Sequence, residues 1–306
     1  MPSDGAQEAT EGFTSAVATR VMAAACRQAQ LVSEGASLIR FGENALFGLA
    51  SHPVIVRVAR TVDYLPSVRN EVEVSRWFTR VGFPAARVVE DVEQPLIVDG
   101  CPVTFWHLIR ESERKASYRE LGTVLRELHS LRVPEGLELP AYDVFGRSDL
   151  RIETVPGIPD DDREFLRKRG GELRDRLSEL HFDIPKGPVH GDAHGGNLMV
   201  DRSSQVVLID FENFCFDYPE WDLMVPATEY DSMGWVGDAD YTEFVEAYGR
   251  DLRAWSGFAT LRAIQEFRMT TWLMQNVNEN PDVANEYARR IASLRDDDAP
   301  RNWLPG

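Results

Sequence analysis

The sequence predicts an α+β chain in two parts, a small strand-rich N-terminal part and a larger, mainly helical C-terminal part. Three observations carry this. From Ala36 the chain reads as short apolar strands punctuated by turn residues, SLIRFGENALFGLA, then His52-Pro53, then VIVRVAR. Residues 69–81 and 118–131 place apolar side chains at helical spacing. The chain has 306 residues, 43% of them hydrophobic and 10% aromatic, which is enough for two bodies with a substantial core. The expected division is a disordered segment 1–11, an N-terminal part 12–106 and a C-terminal part 107–306.

Each element follows from local pattern. Phe13 to Val32 is Ala-rich and helical, and breaks at Ser33-Glu34-Gly35. Phe41-Gly42-Glu43-Asn44-Ala45 sits at a strand turn, and Val54-Ile55-Val56-Arg57-Val58 is an apolar strand around one cation. In Arg69 to Val81, the residues Val74, Trp77, Phe78 and Val81 share a face. Glu71 lies on that stripe, whereas Glu73 shares a face with Arg76 and Arg80. A carboxylate on a core-facing stripe wants a buried partner, and Arg57 is the candidate, so Glu71 is favoured over Glu73. Gly82-Phe83-Pro84 ends that helix. Val98-Asp99-Gly100-Cys101 reads as a hairpin turn, and Pro102 to Ile109 as the strand after it. Tyr118 to Leu131 is an amphipathic helix with Leu121, Val124, Leu125, Leu128 and Leu131 on one face, its His129 structural or at the surface. The charge-rich stretch Arg147 to Glu179 reads as a solvated helix or loop, and the remainder, including Leu261 to Val277, as helical.

Composition excludes several classes. Fifty acidic against 33 basic residues give a net charge of −17, which argues against a nucleic-acid partner. The same charge suits solubility or the attraction of a cationic substrate. Cys26, Cys101 and Cys215 are widely spaced with no C-x-x-C pair, so neither a disulfide framework nor a zinc site is expected, and a reducing compartment is. No apolar stretch approaches membrane-spanning length, and the N-terminus MPSDGAQEATEG is acidic, unlike a secretory signal. A cytoplasmic protein is expected.

The densest information lies in Pro188 to Phe211, PVHGDAHGGNLMVDRSSQVVLIDF. Leu198-Met199-Val200 and Val206-Val207-Leu208-Ile209 flank a polar turn and read as a hairpin. Such a hairpin brings Asn197 and Asp210 together at its open end, where both oxygens can reach one hard divalent cation. Gly195-Gly196 and the small Ala193 permit a tight loop carrying Asp192.

His190-Gly191-Asp192, Asn197 and Asp210-Phe211 stand at the spacing of the protein-kinase H-R-D-x-x-x-x-N and D-F-G motifs, with Gly191 in place of Arg. The form H-G-D-x-H-x-x-N resembles the aminoglycoside phosphotransferase family, small-molecule kinases of protein-kinase-like fold. E-L-G-x-x-L-x-x-L-H within residues 120–129 and Asp217-Tyr218-Pro219-Glu220-Trp221-Asp222-Leu223 resemble that family too. The resemblance covers about residues 35–290 and is most specific at 190–222. It implies ATP or GTP as co-substrate, Mg²⁺ as cofactor and a small-molecule hydroxyl as acceptor. It further implies Asp192 as catalytic base, Asn197 and Asp210 as metal ligands, and His190 and Asp222 as supports of the catalytic loop. Gly42 and Asn44 fall where the phosphate-covering loop lies, and Arg57 where protein kinases have their phosphate-binding Lys, with Glu71 as its partner. Residues 102–109 would lead into the nucleotide-binding hinge. The acceptor is open between an aminoglycoside-like antibiotic and a metabolite of choline or homoserine type, with a non-catalytic nucleotide-binding protein as the rival class.

Overall fold

A computed structural model describes residues 13–42, 44–278, 280–296 and 299–305. The segment 1–11, expected to be disordered, lies outside the described residues. The chain divides into two units, one comprising residues up to Ser112 together with Asp201–Glu212, the other Glu113–Val200 together with residues from Asn213 on.

The first unit opens with α1 (Ser15–Gln28), whose first turn is capped by the Thr14 hydroxyl accepting from Val17 N at 3.2 Å. Strands β1 (Ser37–Phe41), β2 (Asn44–Gly48) and β3 (Val54–Ala59) follow, then α2 (Leu65–Val81), β4 (Leu96–Val98) and β5 (Cys101–His107). The five strands form one antiparallel sheet in the order β1-β2-β3-β5-β4. Alternation along β3 sends Val54, Val56 and Val58 into a core shared with α1, Phe47, Val103 and Phe105. Arg57 therefore points to the other face of the middle strand, where Glu71 of α2 meets it.

Helix α2 starts four residues before the expected Arg69, at a turn with Pro66 in its first positions. Its buried face runs through Val68, Glu71, Val72, Val74, Ser75, Trp77 and Phe78. Val81, expected on that stripe, is exposed, because Gly82 turns left-handed (φ 74°) and ends the helix there. Asp99 and Gly100 both take positive φ between β4 and β5, the conformation a two-residue hairpin turn demands.

The second unit contains α3 (Tyr118–Ser130), α4 (Gly146–Thr154), α5 (Asp160–Ser178), β6 (Gly187–Val189) and β7 (Leu198–Val200). Ser117 and Glu120 form a reciprocal capping box at the start of α3. Gly122 lets α3 pack closely on a later helix, since a Cβ there would lie 2.6 Å from Phe244 O. The charge-rich stretch resolves into α4 and α5, solvated outside and anchored by buried Ile152, Leu166 and Leu173.

The chain then re-enters the first unit over 201–212, with β8 (Val206–Leu208) inside that segment. The sequence reading assigned these residues to the C-terminal part. Backbone bonds tie them to the first unit instead: Leu208 N–H to Pro84 O at 2.9 Å, Ala86 N–H to Leu208 O at 2.8 Å, and Arg202 N–H to Arg110 O at 3.0 Å. Back in the second unit, β9 (Cys215–Asp217) pairs antiparallel with β6. Helices α6 (Glu220–Asp231), α7 (Asp238–Tyr248), α8 (Phe258–Leu273) and α9 (Pro281–Leu294) complete it. Trp221 to Thr228 are all buried, so α6 is an interior helix and shows no amphipathic pattern. All three cysteines are buried free thiols. Among the described residues, no helix is long and apolar enough to cross a membrane.

Leu125 is fully buried on α3, whereas Leu150 on α4 is 62% exposed. Leu125→Ala should cost about 2–5 kcal/mol in urea unfolding through the cavity it leaves, and Leu150→Ala less than about 0.5 kcal/mol. Equal costs would mean that α3 does not bury the face described.

Candidate active site

In the second unit, β6 ends at Val189 and delivers His190 into the interior, where it has no exposed surface. The backbone N–H groups of His190 and Gly191 donate to Oδ2 and Oδ1 of Asp222, each at 2.8 Å. Asp222 stands in the first turn of α6 and is fully buried. Its Oδ2 also meets Nε2 of His129 at 2.9 Å, and Nδ1 of that ring lies 2.9 Å from Tyr248 Oη. A carboxylate only accepts, so His129 carries its hydrogen on Nε2.

Gly191 takes φ +81°, and a Cβ there would lie 2.5 Å from Asn213 O. Only glycine fits such a place. The sequence reading had placed the need for small residues at Ala193, Gly195 and Gly196. A Cβ on Gly195 would meet nothing within 4 Å, and one on Gly196 would meet only the His194 side chain, so the backbone constraint falls on Gly191.

Asp192 is half-exposed beyond this anchored pair. Asn197 Nδ2 donates to Asp192 O at 2.8 Å and approaches its Oδ2 at 3.4 Å. His194 Nε2 lies 3.7 Å from the same Oδ2. Burial works against the charged carboxylate, but the hydrogen bond and charge of His194, with His190 and Arg268, hold Asp192 below its ordinary range. It stays an ionised acceptor near neutral pH. Glu229 on α6 is shifted upward, by burial and by the nearby Asp192, against the Tyr118 hydroxyl that donates to it at 3.1 Å and the charge of His194.

In the first unit, Arg57 Nη1 donates to Glu71 Oε2 at 2.5 Å and Nη2 to Glu212 Oε2 at 3.2 Å. Glu71 and Arg57 thus come together as expected, while Glu73 is half-exposed and paired with Arg76. Burial raises Glu71 to about 7; Arg57 pulls it down, and Asp210 and Glu212 push it up. Asp210 takes φ +65° and is exposed, while the next residue, Phe211, is buried with its ring against Phe78 (5.4 Å) and Trp106 (6.4 Å). The buried aromatic thus anchors the chain next to an exposed Asp210 whose backbone is left-handed. Gly42 N–H donates to Asn44 O at 3.1 Å, and Arg60 Nη2 donates to Gly42 O at 2.9 Å, closing the β1–β2 turn.

Four residues escaped the sequence reading: Glu212 as the second carboxylate on Arg57, Glu229, Tyr142, whose hydroxyl donates to Gly191 O at 2.9 Å, and Arg268. Glu212 stood in view inside the Asp210-Phe211-Glu212 triplet, but its pairing with a residue 155 positions away has no local signal.

The family model of the phosphotransferase enzyme family (APH) matches residues 42–264. Among solved structures, an amicoumacin kinase in complex with AMP-PNP and Ca²⁺ aligns with TM-score 0.69 at 15% identity, over 89% of this chain and 91% of that one. A microcompartment-associated aminopropanol kinase aligns with TM-score 0.68 at 19% identity, over 91% and 94%. These likenesses show a shared protein-kinase-like fold. An uncharacterized protein of Mycobacterium tuberculosis is 24% identical over 180 residues, 56% of this chain, which spans about a third (34%) of that protein's length.

A carboxyl whose folded pKa is raised keeps its proton while the unfolded chain has lost it, so its contribution to stability falls as pH rises through the folded value. For Glu71 the window runs from its ordinary 4.5 to about 7. The melting temperature of the ligand-free protein relative to Glu71→Gln should therefore fall between pH 5 and pH 7.5. A difference that is flat or grows with pH would show Glu71 ionised throughout.

Proposed function

The chain belongs to the phosphotransferase enzyme family, and we propose that it transfers the γ-phosphate of ATP or GTP to a hydroxyl of a small, polar, cationic molecule. The observation that carries this reading is Asp192, an ionised carboxylate on a loop anchored through both preceding N–H groups. Phosphoryl transfer asks little more of a protein than this: a positioned acceptor for the hydroxyl proton and groups that hold the phosphates.

In this reading Asp192 hydrogen-bonds the acceptor hydroxyl, orients its oxygen toward the γ-phosphorus and takes its proton as the P–O bond forms. The nucleoside diphosphate leaves with the electron pair of the cleaved bond. Arg57 supplies positive charge for phosphate oxygens, steered by Glu71 and Glu212, and the turn at Gly42 and Asn44 covers the nucleotide. His190 and Asp222 keep the loop in place.

Asn197 and Asp210 are the residues that would hold Mg²⁺. Their chemistry fits a hard cation, because Asn197 commits its Nδ2 to Asp192, and neither its Oδ1 nor the Asp210 carboxylate makes a hydrogen bond among the described residues. Bound there, the ion would neutralise charge on the nucleotide phosphates. The net charge of −17 and the Glu229 carboxylate beside Asp192 support a cationic acceptor, of which aminoglycoside-like antibiotics and small amino alcohols are the two classes to test. Buried free thiols support a reducing, cytoplasmic setting.

A coupled nucleotide-consumption assay with Mg²⁺, across aminoglycosides, other basic antibiotics, choline and amino alcohols, tests the proposal. Acceptor-dependent turnover is expected for at least one hydroxylated amine, and nucleotide binding without turnover on any acceptor rejects it. With an acceptor in hand, Asp192→Asn should lower kcat by about 10²-fold or more while nucleotide affinity stays within twofold. More than half of wild-type activity would remove Asp192 from the role of base.

Arg57→Ala should weaken nucleotide binding and turnover, Arg57→Lys should keep more of both, and Glu71→Ala should give a milder defect. A double-mutant cycle on kcat/KM for nucleotide should show Arg57→Ala and Glu71→Ala to be non-additive, since each disables the same pair. Glu73→Ala should be near neutral. Additive losses, or a larger loss at Glu73, would break the pairing from nucleotide binding.

A further inference from the structure

We propose that Tyr142, with its hydroxyl polarised by Arg268, is a positioning residue for Asp192 that acts through the carbonyl of Gly191. The inference rests on the reading of Asp192 as the base. Tyr142 lies in the segment between α3 and α4 and is buried. Its hydroxyl donates to Gly191 O at 2.9 Å and accepts from Nη1 of Arg268 on α8. The guanidinium lies 5.0 Å from the Tyr142 ring centroid, and the ring packs 5.0 Å from that of Trp221 on α6. The Tyr142 N–H donates to Asp217 Oδ2 at 3.3 Å. Two helices, a strand end and the Gly191 loop therefore fix where the phenol oxygen sits.

The polarity of the bond follows from donor counting. Arginine has only donors, so toward Arg268 the Tyr142 oxygen can only accept. Its single hydrogen is left for Gly191 O. Without a donor-only partner, the hydroxyl hydrogen could rotate away and leave a buried carbonyl unsatisfied.

The Gly191 carbonyl belongs to the peptide plane that carries the nitrogen and Cα of Asp192. Asp222 holds the preceding peptides by their N–H groups, and Tyr142 holds this one by its oxygen. Gly191, at φ +81°, lacks the Cβ that would otherwise stiffen this joint, so the carbonyl grip must supply the stiffness. A tilt of that plane by some tens of degrees moves the Asp192 carboxylate by about 1 Å, a misplacement that can cost about 10²-fold in rate.

The test compares kcat and KM for acceptor and nucleotide in Tyr142→Phe, Arg268→Met, Arg268→Lys and the Tyr142→Phe/Arg268→Met double variant, each also in an Asp192→Asn background, with transfer followed by labelled γ-phosphate. Tyr142→Phe and Arg268→Met should each lower kcat about tenfold or more, with nucleotide KM within twofold. The double variant should be no worse than the poorer single one, and Arg268→Lys should restore most of the rate. In the Asp192→Asn background, Tyr142→Phe should cost less than twofold further, because the group it positions is gone. A merely structural role would multiply its loss in both backgrounds or raise nucleotide KM in step, and either result overturns the proposal. Asp192→Asn retaining most of the activity would overturn the base assignment itself, and the positioning role with it.

Discussion

Asp222 is a fully buried carboxylate whose oxygens accept from the backbone of His190 and Gly191 and from the ring of His129. A carboxylate in that setting persists only because its oxygens are hydrogen-bonded, one partner on Oδ1 and two on Oδ2. The arrangement makes one side chain from an interior helix the anchor of the loop that presents Asp192. Its neighbours are fitted to it. Strand β6 is locked to β9 just before the loop, only two residues separate β9 from α6, and Gly191 passes beside Asn213 where a Cβ would collide. Replacing Asp222 would leave two buried N–H groups without acceptors, and the loop would lose the constraint that aims the carboxylate.

The first unit poses a different electrostatic problem. Arg57 faces Glu71 and Glu212, with Asp210 also close enough to raise Glu71. Three carboxylates around one guanidinium leave excess negative charge, an arrangement suited to receiving cations and unsuited to holding phosphate by itself. The family fold and the proposed magnesium reading fit together on this point: a divalent ion would balance the carboxylates and free the arginine to meet phosphate oxygens. Asp210, left-handed in its backbone, is exposed beside the buried ring of Phe211.

Much of this was legible in the sequence, for identifiable reasons. The alternation of Val54, Val56 and Val58 fixes which face Arg57 takes, and helical spacing separates Glu71 from Glu73. Asp222 was legible as a structural carboxylate through the D-x-x-x-x-D-L spacing. The misses have physical causes too. Val81 looked core-facing because its spacing continues the stripe, although Gly82-Phe83-Pro84 already marked the helix end and the last turn before it lies exposed. The steric demand at Gly191 was assigned to the glycine pair after it, since a clash with Asn213 depends on the return of the chain 22 residues later. Tyr142 and Arg268 carry no motif, and the chain from Arg268 through the Tyr142 hydroxyl to Gly191 O exists only once α8 and the segment between α3 and α4 have packed. Interior helix α6, buried from Trp221 to Thr228 with polar Asp222 and Thr228 among the apolar residues, offers no periodic signal at all.

The most direct measurement is the fate of the transferred phosphate. Phosphorus NMR of the protein with Mg²⁺-nucleotide and a hydroxylated amine that stimulates nucleotide consumption should show a phosphate monoester and nucleoside diphosphate growing in equal amounts. It should show neither in Asp192→Asn on the same timescale. Nucleoside diphosphate accompanied by inorganic phosphate alone, or a monoester formed as fast by Asp192→Asn, would contradict the account.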